Sequence, residues 1–234
     1  MQDEKTVLIL ASGNGSNAQA IVEHSLSEKL PIRFLCGCNR PSSKAGIYGR
    51  MEAFGIKTEY LPSPGTDFAK LEQYLAEHRV DMIVLAGYMR ILPRAITERY
   101  NILNIHPSLL PFKYKGSQDA YQDAIDNGDK ITGCTVHRVT ADVDGGQRLG
   151  QIAFEIPEVI VKNKDTESLK KLGLCFEHAL YPCVVESGLF NVPLSLEAVD
   201  KLAGKIRKAR GIGFDAPSIL PHNHAAVFDR FPER

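Results

Sequence analysis

The stretch TVLILASGNGSN, residues 6–17, begins as an unbroken apolar run and then breaks into a turn carrying two glycines. Nothing polar interrupts VLILA, so a strand here hides both of its faces, as strands of parallel sheets do. The segment that follows, SNAQAIVEHSLSEK (16–29), places apolar residues at helical spacing. Strand, tight turn and helix form the first unit of an α/β fold, and the pattern repeats downstream. PIRFLCGC (31–38) reads as a strand, SKAGIYGRMEAFG (43–55) as a helix and IKTEYL (56–61) as a strand. DFAKLEQYLAEHR (67–79) reads as a helix with Asp67 as its N-cap, and DMIVLAG (81–87) as another strand. Alternation at this pitch predicts a doubly wound, mostly parallel sheet of Rossmann-like type.

The rhythm changes after NILNIHP (101–107). A helix is expected over 116–129. Two β-like runs, ITGCTVHRV (131–139) and RLGQIAFEIP (148–157), predict an antiparallel hairpin at one edge of the sheet. A long helix follows over 166–188, and the segment from Gly211 onward reads as irregular. No linker marks a boundary, so 1–234 reads as one catalytic domain. It divides softly into 1–100, 101–190 and a tail, 191–234.

Lys plus Arg and Asp plus Glu each total 28, so the chain is neutral and lacks the electrostatic footprint of a nucleic-acid binder. No apolar run suits a leader or a membrane span, and a cytoplasmic protein is expected. The five cysteines include one CxC pair, Cys36 and Cys38, without zinc-knuckle spacing. They are expected to be reduced and buried, and no metal is expected.

Three constellations carry chemistry. In ASGNGSN (11–17) the glycines let backbone amides approach an anion at the next helix's N-terminus. A dinucleotide site fits less well: the third glycine position is Ala18, and Cys38-Asn39-Arg40 replaces the acidic ribose ligand. A purely structural turn stays open. In NILNIHP, a period of two puts Asn104 and His106 on one face, at the carboxyl end of a parallel strand where ligand crevices open. A buried structural histidine is the alternative. In DVDGG (142–146), a carboxylate near His106 would raise the imidazole pKa and orient the ring, although Asp-Gly is also ordinary turn chemistry. No nucleophile elbow is present, so direct attack of one substrate on another is expected. His24 and His78 read as surface residues, as do His222 and His224.

The ordered set ASGNGSN, LAGYMRIL (85–92), NIHPSLLP (104–111), GCTVHRV (133–139), DVDGG and FEHALYP (176–182) resembles the glycinamide ribonucleotide formyltransferases of purine synthesis. The resemblance runs from about residue 6 to about residue 190. It implies 10-formyltetrahydrofolate as co-substrate, glycinamide ribonucleotide as acceptor, and a monomer or homodimer. It implies catalytic roles for Asn104, His106 and Asp144. Ribonucleotide contacts are implied for Gly15, Ser16, Asn17 and Glu177. Folate contacts are implied for Met89, Arg90, Ile91 and Leu92, and for Thr140, Ala141, Asp142, Val143 and Asp144. Three positions before Glu177, where many relatives carry a basic or amide residue, stands Leu174, with Lys170 and Lys171 close enough to compensate. Ser117, Gln118 and Asp119 stand where a histidine is often found. The neutral chain, with nothing expected beyond the catalytic domain, argues against a tRNA formyltransferase or a formylfolate hydrolase. A non-catalytic nucleotide-binding module would tolerate loss of His106.

Overall fold

The computed structural model describes residues 3–213. Strand β1 (Lys5–Ala11) leads through the glycine turn into helix α1 (Ser16–Ser27). Strand β2 (Ile32–Cys38), helix α2 (Ile47–Glu52) and strand β3 (Thr58–Tyr60) follow. Helix α3 (Ala69–Glu77) precedes β4 (Met82–Leu85), and α4 (Arg94–Thr97) precedes β5 (Ile102–His106). Helix α5 (Ala120–Asp126) leads to a hairpin of β6 (Ile131–Arg138) and β7 (Arg148–Glu155). Helices α6 (Glu158–Asn163), α7 (Thr166–Phe190) and α8 (Leu196–Ala209) complete the described chain.

The seven strands form one sheet in the order β3-β2-β1-β4-β5-β6-β7. The first five strands are parallel; β6 runs antiparallel to β5, and β7 to β6. Strand order reverses between β1 and β4, so the crevice of such a sheet opens at their carboxyl ends. Val7, Ile9 and Ala11 pack into the layer holding α1 and α7, while Leu8 and Leu10 pack into the layer holding α3. Both faces of β1 are thus buried, as the unbroken apolar run requires. Each such side chain contributes about 2 kcal/mol by leaving water.

Several boundaries differ from the sequence reading. The helix expected over 43–55 shortens to a 3₁₀ turn at Ser42–Lys44 followed by α2. The break falls at Gly46, where an added Cβ would meet the Asn14 side chain at 2.3 Å. Helix α5 starts at Ala120 because Asp119 caps it, its carboxylate accepting from the Gln122 amide at 3.2 Å. Asp67 lies one residue outside the N-cap of α3, yet its carboxylate accepts from the Ala69 amide at 2.9 Å. The short helices α4 and α6 were not foreseen.

Within the expected tail, α8 is an amphipathic helix capped by Ser195, with Val199 and Ala203 buried in the core. His24 is not a surface residue: its side chain is 14% exposed, with Nε2 2.8 Å from Glu186. His78 is half-buried and stacks on Tyr74. His222 and His224 lie outside the described residues, as does the chain beyond residue 213. All five cysteines are free, and only Cys183 is incompletely buried. Among the described residues no helix is long and apolar enough to cross a membrane.

Candidate active site

Strand β5 delivers Asn104 and His106 to the mouth of the crevice on the same face, and β6 beside it determines what they meet. The antiparallel register sets His137 opposite Asn104 and Thr135 opposite His106. The Asn104 Nδ2 lies 3.2 Å from His137 Nε2. His137 Nδ1 lies 3.0 Å from the Arg138 carbonyl, which only accepts, so Nδ1 carries a proton and Nε2 of the neutral ring accepts from Asn104. His137 was not singled out from the sequence, because its relation to Asn104 runs across two strands.

Asp144 bridges the two histidines. One carboxylate oxygen is 3.4 Å from His106 Nδ1 and the other 3.4 Å from His137 Nε2. The Gly116 amide also donates to Asp144, at 3.0 Å. Asp144 itself adopts a left-handed conformation, φ 51°, which aspartate tolerates better than most residues. Two residues on, the backbone of Gly146 passes so close to β6 that a Cβ there would stand 1.9 Å from the Arg138 carbonyl oxygen. The DGG sequence therefore serves both the turn and the placement of its carboxylate.

His106 is 6% exposed, and its Nε2 lies 2.9 Å from the Tyr114 carbonyl, to which it donates. Burial pushes its pKa below the ordinary imidazole value; the charge of Asp144 and the bond to Tyr114 oppose this, and His137 adds to it. Asp144 acts in the expected direction, raising the imidazole pKa, but burial outweighs it. For Asp144, burial favours the neutral acid, yet the His137 contact, the His106 charge and the Gly116 amide together carry its pKa below the usual carboxylate value.

The abrupt PSLLP turn after His106 is held by the hairpin. Buried Thr135 donates to the Ser108 carbonyl at 2.6 Å and accepts from the Leu110 amide at 3.2 Å. Gln151 donates to the Leu110 carbonyl at 2.9 Å. Leu109 fills space left by Gly133, where a Cβ would also strike the Ile152 carbonyl at 2.1 Å. The Leu110–Pro111 peptide is cis.

Helix α7 supplies the floor. Glu177 is 6% exposed; its carboxylate accepts from Asn17 Nδ2 at 2.9 Å and from the Tyr121 hydroxyl at 3.1 Å. Burial pushes the Glu177 pKa up, and these two donors pull against it. Tyr121 reaches Glu177 over Gly173, where a side chain would stand in its path. One turn after Glu177, the fully buried Tyr181 donates to the Leu103 carbonyl at 2.9 Å, tying α7 to the beginning of β5.

At the head of α1, Gly15 adopts φ 73°, a conformation that suits glycine. The first turn has no acidic residue and no side-chain cap, so its amides and the helix dipole favour an anion there. Ser12 joins this loop to the lip of the crevice: its amide donates to the Gly87 carbonyl at 3.0 Å, and its hydroxyl accepts from the Met89 amide at 2.8 Å.

Asn104, His106, His137, Asp144, Asn17 and Glu177 all line one cavity of about 410 Å³. Met89, Arg90, Ile91 and Leu92 form its lip, joined by Thr140 and Val143; Met89 and Ile91 are exposed apolar side chains. Gly15 and Ser16 lie just behind Asn17, outside the cavity lining. Ala141 and Asp142 also stand outside it, exposed, with Asp142 2.9 Å from Lys115. Arg90 donates to the Gly65 carbonyl across the lip. Gln118 is an exposed part of the rim, while Ser117 accepts from the Asp119 amide at 3.0 Å at the start of α5.

Residues 5–185 match the family described as formyl transferase. The chain belongs to the formyl transferase family. It is 36% identical over 193 residues to the phosphoribosylglycinamide formyltransferase of Haemophilus influenzae, covering 78% of this chain and 86% of that protein. With the Bacillus subtilis protein of the same name it shares 37% identity over 197 residues, 80% of this chain and 97% of that one. The crystal structure of phosphoribosylglycinamide formyltransferase from Anaplasma phagocytophilum superposes with a TM-score of 0.72 at 30% identity, over 84% of this chain and 93% of that one. In this formyl transferase Lys170 pairs with Asp119 at 2.8 Å and with Glu167 at 3.5 Å.

Proposed function

We propose that this formyl transferase moves a formyl group from 10-formyltetrahydrofolate to the amine of glycinamide ribonucleotide in purine synthesis. The observation that carries the reading is the meeting, in one cavity, of the Asn104–His137–Asp144–His106 chain with the Asn17–Glu177 couple and an apolar lip. An apolar lip at Met89–Leu92 suits a flat heteroaromatic donor. A carboxylate held by neutral donors, Glu177, suits ribose hydroxyls, and the uncapped head of α1 at Gly15–Asn17 suits the phosphate.

In this reading the uncharged amine attacks the formyl carbon, and charge develops on the formyl oxygen. Asn104 N–H stabilises that oxygen, joined by His106 once the ring is protonated. His106 is neutral at rest because burial disfavours its charge. Asp144, 3.4 Å away, offsets part of that penalty when the ring takes the proton that the attacking amine loses, so the imidazolium forms where it is needed. His106 then returns the proton to the departing folate nitrogen. His137 holds Asn104 in register from β6.

The test is a spectrophotometric formyl-transfer assay with 10-formyltetrahydrofolate, with and without glycinamide ribonucleotide, for wild type and His106→Ala. Turnover that requires the ribonucleotide and is lost in the variant supports the proposal. Deformylation without the ribonucleotide would make the protein a hydrolase instead.

A further inference from the structure

Tyr114 carries two features that the proposed reaction does not use. Its backbone is left-handed, with φ 55°, a conformation that a bulky residue keeps only where its surroundings hold it there. Its carbonyl is also the group that meets His106 Nε2, at 2.9 Å. Tyr114 does not line the cavity, so whatever it does for the chemistry passes through His106.

What holds this backbone lies at the far end of the side chain. The half-buried ring packs against the core, and its hydroxyl reaches the turn DNGD (126–129) at the end of α5. A phenol donates one proton and accepts at its oxygen, and both capacities are filled. The hydroxyl donates to Asp129 Oδ2 at 2.6 Å and accepts from Asn127 Nδ2 at 3.1 Å. The Asp129 side chain is 14% exposed, so this bond to a carboxylate is strong and weakly screened. The segment is fastened on its other sides as well. Ser108 Oγ donates to the Lys113 carbonyl at 2.6 Å, and the Ser117 amide donates to the Tyr114 carbonyl at 3.0 Å.

The aim of that carbonyl decides which nitrogen of His106 is free. A carbonyl only accepts, so Nε2 carries the proton of the neutral ring and Nδ1 carries the lone pair. Nδ1 is the nitrogen 3.4 Å from Asp144, so a proton gained there arrives beside the carboxylate.

We propose that Tyr114 is a positioning residue for His106: clamped by Asp129 and Asn127, it presents the carbonyl that keeps the Nε2 proton in place and leaves Nδ1 to exchange protons with the substrates. Nδ1 takes one proton from the attacking amine as the new carbon–nitrogen bond forms. It gives that proton to the folate nitrogen as the old carbon–nitrogen bond breaks. The kinetic consequence rests on the proposed formyl transfer, whereas the tautomer is a property of the free protein.

The experiment uses the full chain labelled with ¹⁵N-histidine, at a pH well above the ordinary imidazole value, where burial keeps His106 neutral. The ¹⁵N signals assign the ring proton to Nε2 or Nδ1, and formyl-transfer kinetics are measured on the same samples. Wild type is expected to show His106 as the Nε2–H tautomer alone. Tyr114→Phe, which removes only the hydroxyl, is expected to mix the two tautomers and to lower kcat about tenfold with KM unchanged, a part of what acid–base catalysis supplies. Asp129→Ala removes the acceptor from the other side and serves should the first variant fail to fold. The double variant should be no worse than either single one, since both break the same bond. Variants that lose only urea stability, with the tautomer and kcat of wild type, would overturn the proposal. So would a wild-type His106 protonated on Nδ1, or mixed tautomers with unchanged kcat. Tautomers that respond to both variants in a protein without formyl transfer would support the positioning role and refute only the reaction.

Discussion

Replacing Gly173 with alanine sets a local gain against a packing loss. Inside a long helix such as α7, the change from glycine to alanine is worth about 1 kcal/mol of added stability. Here, however, a Cβ would stand 2.1 Å from the Tyr121 hydroxyl oxygen and 2.2 Å from its Cζ. Tyr121 is 4% exposed and cannot swing into solvent without emptying its place in the core. Forcing it aside costs about 1–3 kcal/mol as overpacking. It also strips Glu177 of one of its two donors, about 1.5–3 kcal/mol for a bond to a charged group. The losses exceed the gain, and net destabilisation of about 2–5 kcal/mol is expected.

Two measurements check this. Urea unfolding gives the stability change, and formyl-transfer kinetics give the KM for the ribonucleotide, expected to rise about tenfold as Glu177 loses its fixed orientation. Tyr121→Phe, which removes only the hydroxyl, should reproduce the KM effect with less loss of stability. A Gly173→Ala protein as stable as wild type, with unchanged KM, would refute the reasoning: propensity would have won and Tyr121 would not be positioning Glu177.

Asp144→Asn removes the charge that opposes burial at His106, so formyl transfer should slow by roughly 100-fold or more, the scale of acid–base catalysis. The His106 pKa should move further down, and the limb on which activity falls with falling pH should shift toward acid in a pH–rate profile. Tyr181→Phe leaves the Leu103 carbonyl without its donor and should cost about 1 kcal/mol in urea unfolding. Burial and the neighbouring Arg210 and Arg50 charges lower the His178 pKa from 6.5 to about 3. A depressed folded-state pKa means the unfolded chain binds the proton first, so its contribution to stability is present above 6.5 and lost as pH falls toward about 3. His178→Gln, whose amide oxygen can still accept from Arg210, should flatten the fall of the urea midpoint over that range, measured as the difference from wild type.

The parallel half of the sheet is legible because burial on both faces leaves a signature along the chain: VLILA has no room for a polar residue. The pairing of Asn104 with His106 follows from the same logic, since alternation on one strand is a local property. What lies across strands is not. His137 meets Asn104 only because β6 folds back beside β5 in one register, and nothing within GCTVHRV states that register. Burial escapes the sequence in the same way. Asp144 announces a charge that raises the His106 pKa, but the side chains that exclude water from His106 come from distant segments, and their effect is the larger. Helix α8 carries its own signals, a Ser195 cap and an amphipathic stripe, but Pro193 and the turn before it read as the start of a tail. The helix ends expected over 43–55 and 116–129 ran long because periodicity does not register the breaks set by Gly46 and the Asp119 cap.

The Ser12 contacts have a consequence for how the two ligands sense each other. One residue, 1% exposed, joins the loop that heads α1 to the lip at Gly87 and Met89, and it has no slack to absorb a displacement of either. A ligand that settles one loop thereby preorganises the other, and the ordering entropy is spent once rather than twice. Thermodynamic linkage makes this mutual: under the proposed function, whatever factor the ribonucleotide adds to folate affinity, the folate must return to the ribonucleotide. Removing the hydroxyl, as in Ser12→Ala, would leave each ligand binding in ignorance of the other.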